Sequence, residues 1–464
     1  MTSIGLRQRL KPCLPVRDII ERCSQALENS RFWMQMKQVA RHILEHAMRE
    51  SSVGRAFQRH LGCDKDVLRI CEDLYDLSSY ARVFVVAVGK AAHSMLTGLY
   101  EQTGERFEGI VASPVEPEFH VRGFRYFVGG HPLPNAESIR GADAILKTVH
   151  GLGESALVLY LISGGGSACC EKPIDDEISL DDLVQSNRAL VHSGASIAEI
   201  NAIRKHFSAI KGGRLAQAAY PTQQVSILIS DVPDNMPDAL ASGPTMPDST
   251  TVRDCASIVE KYSLLPQLPS SLRELFEHHA LDETPKSDDP AFINARWWTV
   301  LSNSDLLQAA KAEAERQGFA TFIDSSCDDW HYVKASAYLL ERLRELRTKY
   351  ERVCLLSGGE VTVRVNNGGT GGRNQQFALE CADKIAGQNI CVLSAGSDGI
   401  DGNSPAAGAL VDGTTLERTK ARALDLKAHL ENFNAYLLFA ALGDAIITGP
   451  TGNNLRDIRI LLAA

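Results

Sequence analysis

Several charged side chains in this sequence stand just after short runs of strand-forming residues. Lys90, Asp231 and Asp398 are placed in this way, next to glycine and serine. An apolar run that turns sharply into such residues is typical of the carboxyl edge of a parallel sheet, where open α/β folds bind their ligands. Backbone N–H groups freed by glycine at that edge can face an anion. The pattern therefore indicates an enzyme that handles phosphate.

Glycine-rich turns of this kind recur six times along the chain. They are Gly89-Lys90, Ser163 to Ser167, Ser230-Asp231, Ser357 to Glu360, Ser394 to Gly399 and Thr448 to Gly452. The turn at 163–167 offers adjacent N–H groups and two hydroxyls, but it matches neither GxGxxG nor GxxxxGK[ST]. Alone, it is as typical of a tight strand-to-helix connection as of a phosphate site. The recurrence favours phosphate binding.

Three positions have charges whose placement predicts a role in binding or catalysis. Lys90 opens a predicted helix, where a cation is disfavoured unless it serves an anionic ligand. Asp231 ends an apolar strand, where a carboxylate is costly unless it binds a metal, accepts N–H groups or takes a proton. Arg373 follows two glycines at the start of a helix and can bind a carboxylate or phosphate in bidentate fashion.

Other polar positions are more ambiguous. Asp398 and Asp401 lie in one glycine-rich turn that lacks the full calcium-loop pattern. Asp398 is the better functional candidate, and an Asx turn is favoured for Asp401. Arg204 and Lys211 belong to a basic segment for which a solvated helix face is the alternative. Neither HExxH nor GxSxG occurs, which disfavours a zinc hydrolase and a serine hydrolase.

Composition limits the class of protein. The 464 residues are 44% hydrophobic and 23% charged, as in soluble globular proteins, and two domains are expected. A net charge of −9 argues against nucleic-acid and anionic-membrane partners. No apolar run is long enough to cross a bilayer. The eleven scattered cysteines predict reduced thiols in a cytoplasmic protein, and the basic first 17 residues are read as a tail rather than a transit peptide.

The pattern of strands and helices predicts an α/β fold with two α/β domains, the first a doubly wound, mainly parallel, Rossmann-like sheet. Residues 18–80 are predicted to be helical. Predicted strands are 83–88, 108–112, 125–128, 156–162, 224–230, 298–302, 320–324, 353–357, 361–365, 390–394, 445–448 and 458–462. Predicted helices are 90–103, 136–151, 179–191, 196–217, 304–317, 331–349 and 374–385. The proline-rich stretch before 290 separates a domain over 35–290 from one over 291–464, with an extension over 1–34.

These motifs, taken in order, give the chain a resemblance to the class II glycerate 2-kinase family with its C-terminal MOFRL domain. The match covers roughly residues 35 to 464. The matching segments are 88–92, 130–134, 161–168, 194–213, 230–232, 241–245, 302–303, 357–360, 371–375, 398–402 and 448–452. A set of this length and order is far more specific than any single loop.

The resemblance implies transfer of phosphate from ATP, with Mg²⁺, to the 2-hydroxyl of D-glycerate, in a cleft between the domains. It implies that Lys90 and Arg373 bind the substrate and the migrating phosphoryl group, with Asp231 or Asp398 holding Mg²⁺ or accepting the hydroxyl proton. Further substrate contacts are expected from Arg204 and Asn374. Expected nucleotide or phosphate ligands are Ser163, Gly164, Gly165, Gly166, Ser167, Lys211, Asn303, Gly358, Gly359 and Glu360. The family is compatible with a homodimer.

Some positions depart from the family pattern and leave alternatives open. The departures are Asn235, Met236, Thr370, Gln376 and the stretch Phe433-Asn434-Ala435. They would suit a kinase for another small hydroxy acid, or a binding protein that has lost its metal. An NAD(P)-dependent hydroxypyruvate reductase is disfavoured because no strand–GxGxxG–helix unit is present.

Overall fold

The N-terminal part of the molecule is a long helix followed by a small sheet. A computed structural model of the protein describes residues 16–365 and 368–464. The first elements are α1 (Val16–Glu50), α2 (Val53–His60), β1 (Leu61–Asp64), β2 (Val67–Ile70) and β3 (Asp73–Asp76). The helical prediction for 18–80 is wrong beyond residue 60, where β1–β3 form an antiparallel sheet. Lys65 and Cys71 turn the chain there with φ of 54° and 52°.

A six-stranded sheet follows, with helices on both faces. Its strands and the connecting helices are β4 (Arg82–Val88), α3 (Ala92–Thr103), β5 (Glu108–Ser113), β6 (Phe124–Val128), α4 (Ala136–His150), β7 (Ala156–Ser163), α5 (Gly166–Cys169), α6 (Leu180–His192), α7 (Ile197–His206), α8 (Arg214–Ala219), β8 (Gln223–Ile229), α9 (Val252–Lys261), α10 (Ser270–Glu277) and β9 (Ala295–Leu301). The predicted helix 196–217 is in fact two, α7 and α8.

All neighbouring strands in this first sheet are parallel, as predicted, in the order β6-β5-β4-β7-β8-β9. The strand β7 is buried along its whole length, which explains its continuous apolar sequence. Because β9 pairs with β8, the first sheet extends past residue 290. Helices α6, α7, α9 and α10 bury a separate apolar cluster of their own.

The second sheet is mixed and has its own helices. Its elements are α11 (Asn303–Arg316), β10 (Ala320–Ile323), α12 (Tyr332–Arg347), β11 (Val353–Ser357), α13 (Arg373–Lys384), β12 (Ile390–Gly396), β13 (Gly408–Asp412), α14 (Thr415–Ala421), α15 (Leu426–Glu431), α16 (Ala435–Leu442), β14 (Ala445–Ile446) and β15 (Asp457–Ala463). The predicted strand 361–365 is wrong: Thr362 makes only an isolated bridge to His331.

The order of the second sheet is β10-β11-β15-β12-β13-β14, and only β10 and β11 are parallel. The last strand, β15, lies between β11 and β12 and runs antiparallel to both, with Arg459 opposite Ser357 and Asp457 opposite Gly396. The beginning of β15 therefore meets the carboxyl ends of its two neighbours. Residues just before and just after the start of β15 therefore lie at the edge of the sheet where β11 and β12 end.

The two sheets share one continuous hydrophobic cluster. Its members come from α2 and α3 on the first sheet, and from α1 and α11 on the second. Helix α1 is tied to the second sheet by Lys37, which pairs with Asp412 at 3.1 Å and Asp444 at 2.8 Å. No helix within 16–365 and 368–464 is long and apolar enough to span a membrane. The nine cysteines with described side chains are free thiols, mostly buried.

Candidate active site

The carboxyl edge of the first sheet brings three predicted elements together. Strands β4, β7 and β8 are neighbours, so the residues that follow them, Lys90, the loop 163–167 and Asp231, lie side by side. The Lys90 N–H donates to the Gly164 carbonyl at 2.8 Å, and the Ala91 N–H donates to Ser163 Oγ at 3.0 Å. The buried Ser163 hydroxyl therefore fixes the turn, whereas Lys90 is exposed. Its ammonium forms no ion pair with any described residue.

Asp231 lies against the glycine-rich loop. A Cβ built on Gly164 would stand 1.7 Å from Asp231 Oδ2, so only glycine leaves room for the carboxylate there. Burial raises the pKa of Asp231, while the nearby charges of Lys90 and Arg456 act in the opposite direction. Its oxygens accept only one long side-chain hydrogen bond from the described residues, from Asn454 Nδ2 at 3.5 Å. This carboxylate is free to bind a cation or to accept a proton.

Arg373 is held at the start of α13 by two carboxylates of the second sheet. Its Nε and Nη2 donate to Asp457 at 2.7 and 3.0 Å, and Nη2 also pairs with Glu360 at 2.7 Å. Burial raises the pKa of Glu360, the charge of Asp457 adds to this, and Arg373 opposes it. Nη1 of Arg373 has no partner among the described residues. The guanidinium is thus fixed by two carboxylates with one edge available to a ligand.

The two halves of the molecule meet at this place. Asn454, in the loop before β15, reaches from the second half to Asp231. The charge of Asp231 also contributes to the raised pKa of Glu360, the carboxylate that pairs with Arg373. The buried Asn303 links the loop after β11 to the loop before β15. Its Oδ1 accepts the Gly359 N–H at 3.2 Å, and its Nδ2 donates to the Leu455 carbonyl at 2.6 Å. The charge of Lys90 therefore acts on Asp231, and that of Asp231 acts on Glu360, the partner of Arg373.

A cavity of about 730 Å³ opens beside Arg373 on the side of the second sheet. It is lined by polar residues that include Glu360, Asp398 and Asn403, and by Val361, Val363, Ile400 and Phe433. Asp398 Oδ1 accepts the Ile400 N–H at 3.1 Å, which forms an Asx turn. Asp398 therefore borders the cavity, but one of its oxygens is already used by its own loop.

Asp401 caps the helix that carries Arg373. Its carboxylate accepts the backbone N–H of Asn374 at 3.0 Å and that of Gln375 at 2.9 Å. Burial raises its pKa to about 6. The Asx turn predicted for Asp401 is wrong, because its carboxylate caps α13 instead. Asn374 is buried beside it and accepts from Ser394 at 2.6 Å, so its side chain supports α13 and gives no support to the predicted substrate contact.

Two predicted ligands lie within the first sheet's half of the molecule and have polar partners there. Lys211 is buried and forms an ion pair with the equally buried Glu171. Arg204 Nε donates to Asn187 Oδ1 at 2.6 Å. The resemblance placed Lys211 among the expected phosphate ligands. Its geometry does not support that assignment, since its charge is neutralised inside the protein.

We expect the variant Lys211→Met to lose stability rather than substrate affinity. Removing one partner of a buried ion pair leaves the other charge uncompensated, which costs about 3–5 kcal/mol. Urea unfolding of this variant should show a lower midpoint, and the double variant Lys211→Met/Glu171→Leu should recover much of the difference. A Lys211→Met protein of unchanged stability and strongly raised KM for ATP would instead restore the phosphate role.

The departures from the family pattern are mostly accounted for by local packing. Gln376 donates from Nε2 to the Leu430 carbonyl at 2.7 Å and is buried. Thr370 and Asn434 contact each other, with the Thr370 N–H donating to Asn434 Oδ1 at 3.1 Å. Asn235 and Met236 lie in an exposed loop after β8. None of these side chains makes a hydrogen bond to Lys90, Asp231 or Arg373.

Sequence reasoning missed the residues that begin the last strand. Asp457 orients Arg373, and Arg456 forms a bidentate pair with Asp328 at 2.6 and 2.7 Å. Most of the predicted site residues follow strands, whereas these two stand at the start of one. The polar run Asn453-Asn454 before Arg456-Asp457 was the available signal, but its position depends on the antiparallel direction of β15.

The fold and the site define an α/β protein of two large sheets, with a glycine-rich loop beside Lys90 and Asp231. Residues 39–277 match the model of a domain of unknown function, DUF4147, and residues 353–457 match that of the MOFRL family. The chain is 36% identical over 386 residues to the D-glycerate 2-kinase of Thermotoga maritima, covering 82% of this chain and 90% of that protein.

It is also 37% identical over 390 residues to a putative hydroxypyruvate reductase of Agrobacterium vitis, covering 82% of this chain and 87% of that protein. The crystal structure of the Thermotoga maritima glycerate kinase superimposes with a TM-score of 0.81 at 33% identity, over 93% of this chain and 100% of that one. The chain belongs to the glycerate 2-kinase family, which carries a DUF4147 domain and a MOFRL domain.

Proposed function

We propose that this protein is a glycerate 2-kinase that transfers the γ-phosphoryl group of ATP to the 2-hydroxyl of D-glycerate. The observation that carries the proposal is the junction of the two sheets: Asn454 of the second half reaches Asp231 of the first, and the charge of Asp231 acts on Glu360, the partner of Arg373. Phosphoryl transfer depends on positioning and on neutralising charge more than on covalent chemistry. The cations Lys90 and Arg373, together with the carboxylates Asp231 and Glu360, can both position the substrates and neutralise charge.

The residues divide into two functional groups. Among the residues that the structure describes, neither the Lys90 ammonium nor Nη1 of Arg373 has a partner, and Asp457 fixes the rest of that guanidinium. We assign them to the glycerate carboxylate and the migrating phosphoryl group. The loop 163–167 lies between Lys90 and Asp231, and the first-turn N–H groups of a helix have no intrahelical acceptor, so this loop suits the phosphates of ATP. Asp231 is the carboxylate that lies against this loop, next to Gly164.

The chemistry of these residues fits Mg²⁺ bound together with the nucleotide. Among the described residues no group of three or more His, Cys, Asp or Glu side chains is placed to hold a metal ion. Mg²⁺ needs no such cage, because kinases bind it through one or two carboxylates plus substrate phosphates. Asp231, which accepts one long hydrogen bond, is the carboxylate best suited to it. Bound there, the ion would neutralise charge on the phosphates.

The alternative activities are less well supported. The reductase suggested by the name of one relative would need a nicotinamide site, but β4 leads into Gly89-Lys90-Ala91-Ala92 and not into GxGxxG. A binding protein without catalysis was suggested by the departures from the family pattern. Those departures make no hydrogen bond to Lys90, Asp231 or Arg373, so they give this alternative little weight.

The activity is tested by incubating the full-length protein with ATP, Mg²⁺ and D-glycerate, and by identifying the product. We expect ADP and 2-phosphoglycerate, which phosphorus NMR distinguishes from 3-phosphoglycerate. Parallel reactions with other small hydroxy acids establish the acceptor. NADH oxidation with hydroxypyruvate is the control for the reductase. If no hydroxy acid stimulates ATP consumption, the proposal fails.

The pH dependence of the reaction follows from Asp231. The carboxylate must be ionised to hold Mg²⁺ or to accept the proton, and burial raises its pKa, so kcat/KM should fall on acidification at a higher pH than an ordinary aspartate would give. Lys90 lowers the same pKa, so the residual activity of Lys90→Met should decline at a higher pH still. An acid limb at the same pH in both proteins would show that another group controls it.

A further inference from the structure

A histidine to which the proposed function gives no role lies beside Lys90. His131, in the turn between β6 and α4, is exposed. A Cβ built on Gly165 would stand 3.2 Å from His131 Cδ2 and 3.0 Å from Lys90 Cγ. Gly165 has a φ of 81°, and its bare Cα leaves room for both side chains. The imidazole and the lysine therefore stand together over the glycine-rich loop.

The turn that carries His131 is held firmly by its neighbours. The Gly129 N–H donates to the Ser113 carbonyl at 3.0 Å, and the Gly130 N–H donates to Ser138 Oγ at 2.9 Å. Asn135 caps α4 and also donates from Nδ2 to the Val128 carbonyl at 3.1 Å. These bonds fix the turn on both sides of His131. The turn that carries the imidazole is thus fixed by the folded chain.

The chemistry of the ring suits an anionic ligand. Neither ring nitrogen of His131 has a hydrogen-bond partner among the described residues, and Nε2 is bonded to Cδ2, the atom that faces Gly165. Partial desolvation by the surrounding protein lowers the pKa of the largely exposed His131, and the charge of Lys90 lowers it further. The ring is therefore neutral near pH 7, when it offers one N–H donor and one acceptor. The N–H can donate to an oxygen that Lys90 also binds.

We propose that His131 is a further ligand-binding residue of the active site, where its imidazole donates a hydrogen bond to the anionic oxygen that Lys90 binds over the loop 163–167. This rests on the proposed function. The oxygen belongs either to the carboxylate of glycerate or to the phosphoryl group being transferred. In the first case KM for glycerate rises, and in the second kcat falls.

The experiment compares His131→Ala and His131→Gln with the wild-type full-length enzyme under saturating Mg²⁺. Hydrogen bonds to charged groups predict a loss of about 10- to 100-fold in kcat/KM for His131→Ala. The loss should be smaller for His131→Gln, which keeps a donor. Because the site is exposed, added imidazole should restore part of the activity of His131→Ala. The matched control is His150→Ala, an exposed histidine at the end of α4.

The outcomes separate this proposal from the proposed function. A wild-type protein without ATP-dependent phosphorylation refutes the function itself. An active wild type whose two His131 variants stay within twofold of it refutes the role of His131 alone. A loss that follows a lower melting temperature and does not respond to imidazole shows a structural residue and also overturns the proposal. If His131→Ala does not fold, His131→Gln and its kcat and KM values decide.

Discussion

Asp231→Asn is expected to lower kcat about 10³-fold, within the range for loss of a catalytic acid–base group, and to leave the fold intact. The change replaces one oxygen by an NH₂ group of the same size, so the close contact with Gly164 is preserved in shape. It removes the negative charge that would hold Mg²⁺ or accept the proton of the 2-hydroxyl. Steady-state rates at saturating ATP and glycerate, with melting temperatures, measure the effect.

Two controls make this result specific. Asp234→Asn changes an exposed carboxylate in the same loop and should keep wild-type activity. Asp398→Asn changes the other candidate carboxylate, whose Oδ1 accepts the Ile400 N–H, and should cost much less than Asp231→Asn. If the large loss follows Asp398→Asn and not Asp231→Asn, the roles of the two residues must be exchanged.

Lys90→Met is expected to reduce kcat/KM by about 10²–10³-fold, as for loss of an electrostatic group at a transferring anion. Methionine preserves most of the stem that packs over Gly165 and removes only the ammonium. Since that ammonium has no partner among the described residues, the melting temperature should hardly change. Coupled assays that vary ATP and glycerate separately measure the loss.

The matched control for Lys90→Met is Lys147→Met, which removes an exposed lysine from α4 in the same domain. It should keep full activity, because Lys147 is not among the proposed ligands. It should also keep its stability, because a surface ion pair such as that with Asp143 contributes little. A Lys90→Met enzyme with unchanged kcat and KM would show that the ammonium binds neither substrate. Arg373 would then have to supply the positive charge alone.

The architecture of the first domain could be predicted from sequence because it depends on local patterns. Parallel strands buried on both faces are continuous apolar runs, and their glycine-rich ends mark the edge of the sheet. Lys90, the loop 163–167 and Asp231 were located by that rule alone. The same pattern failed over residues 61–76, where strands of four residues carry too few positions to distinguish a sheet from a helix.

The site of the second domain was only half predictable. Arg373 follows two glycines and was found, whereas Asp457, which orients it, begins a strand. The position of Asp457 depends on β15 pairing antiparallel with both β11 and β12. This is a long-range contact that local sequence patterns do not indicate. The phosphate role that the resemblance implied for Lys211 gains no support from the structure. The partner that neutralises its charge, Glu171, is distant in sequence and no local pattern indicates it.

The central claim is that the two halves of the chain bind one anionic substrate pair between Lys90 and Arg373. A crystal structure with D-glycerate and a non-hydrolysable ATP analogue tests it most directly. We expect the Lys90 ammonium and Nη1 of Arg373 to lie within hydrogen-bond distance of the glycerate carboxylate or the γ-phosphate, one on each side. Ligands bound to one half only, with either cation left in solvent, would contradict it.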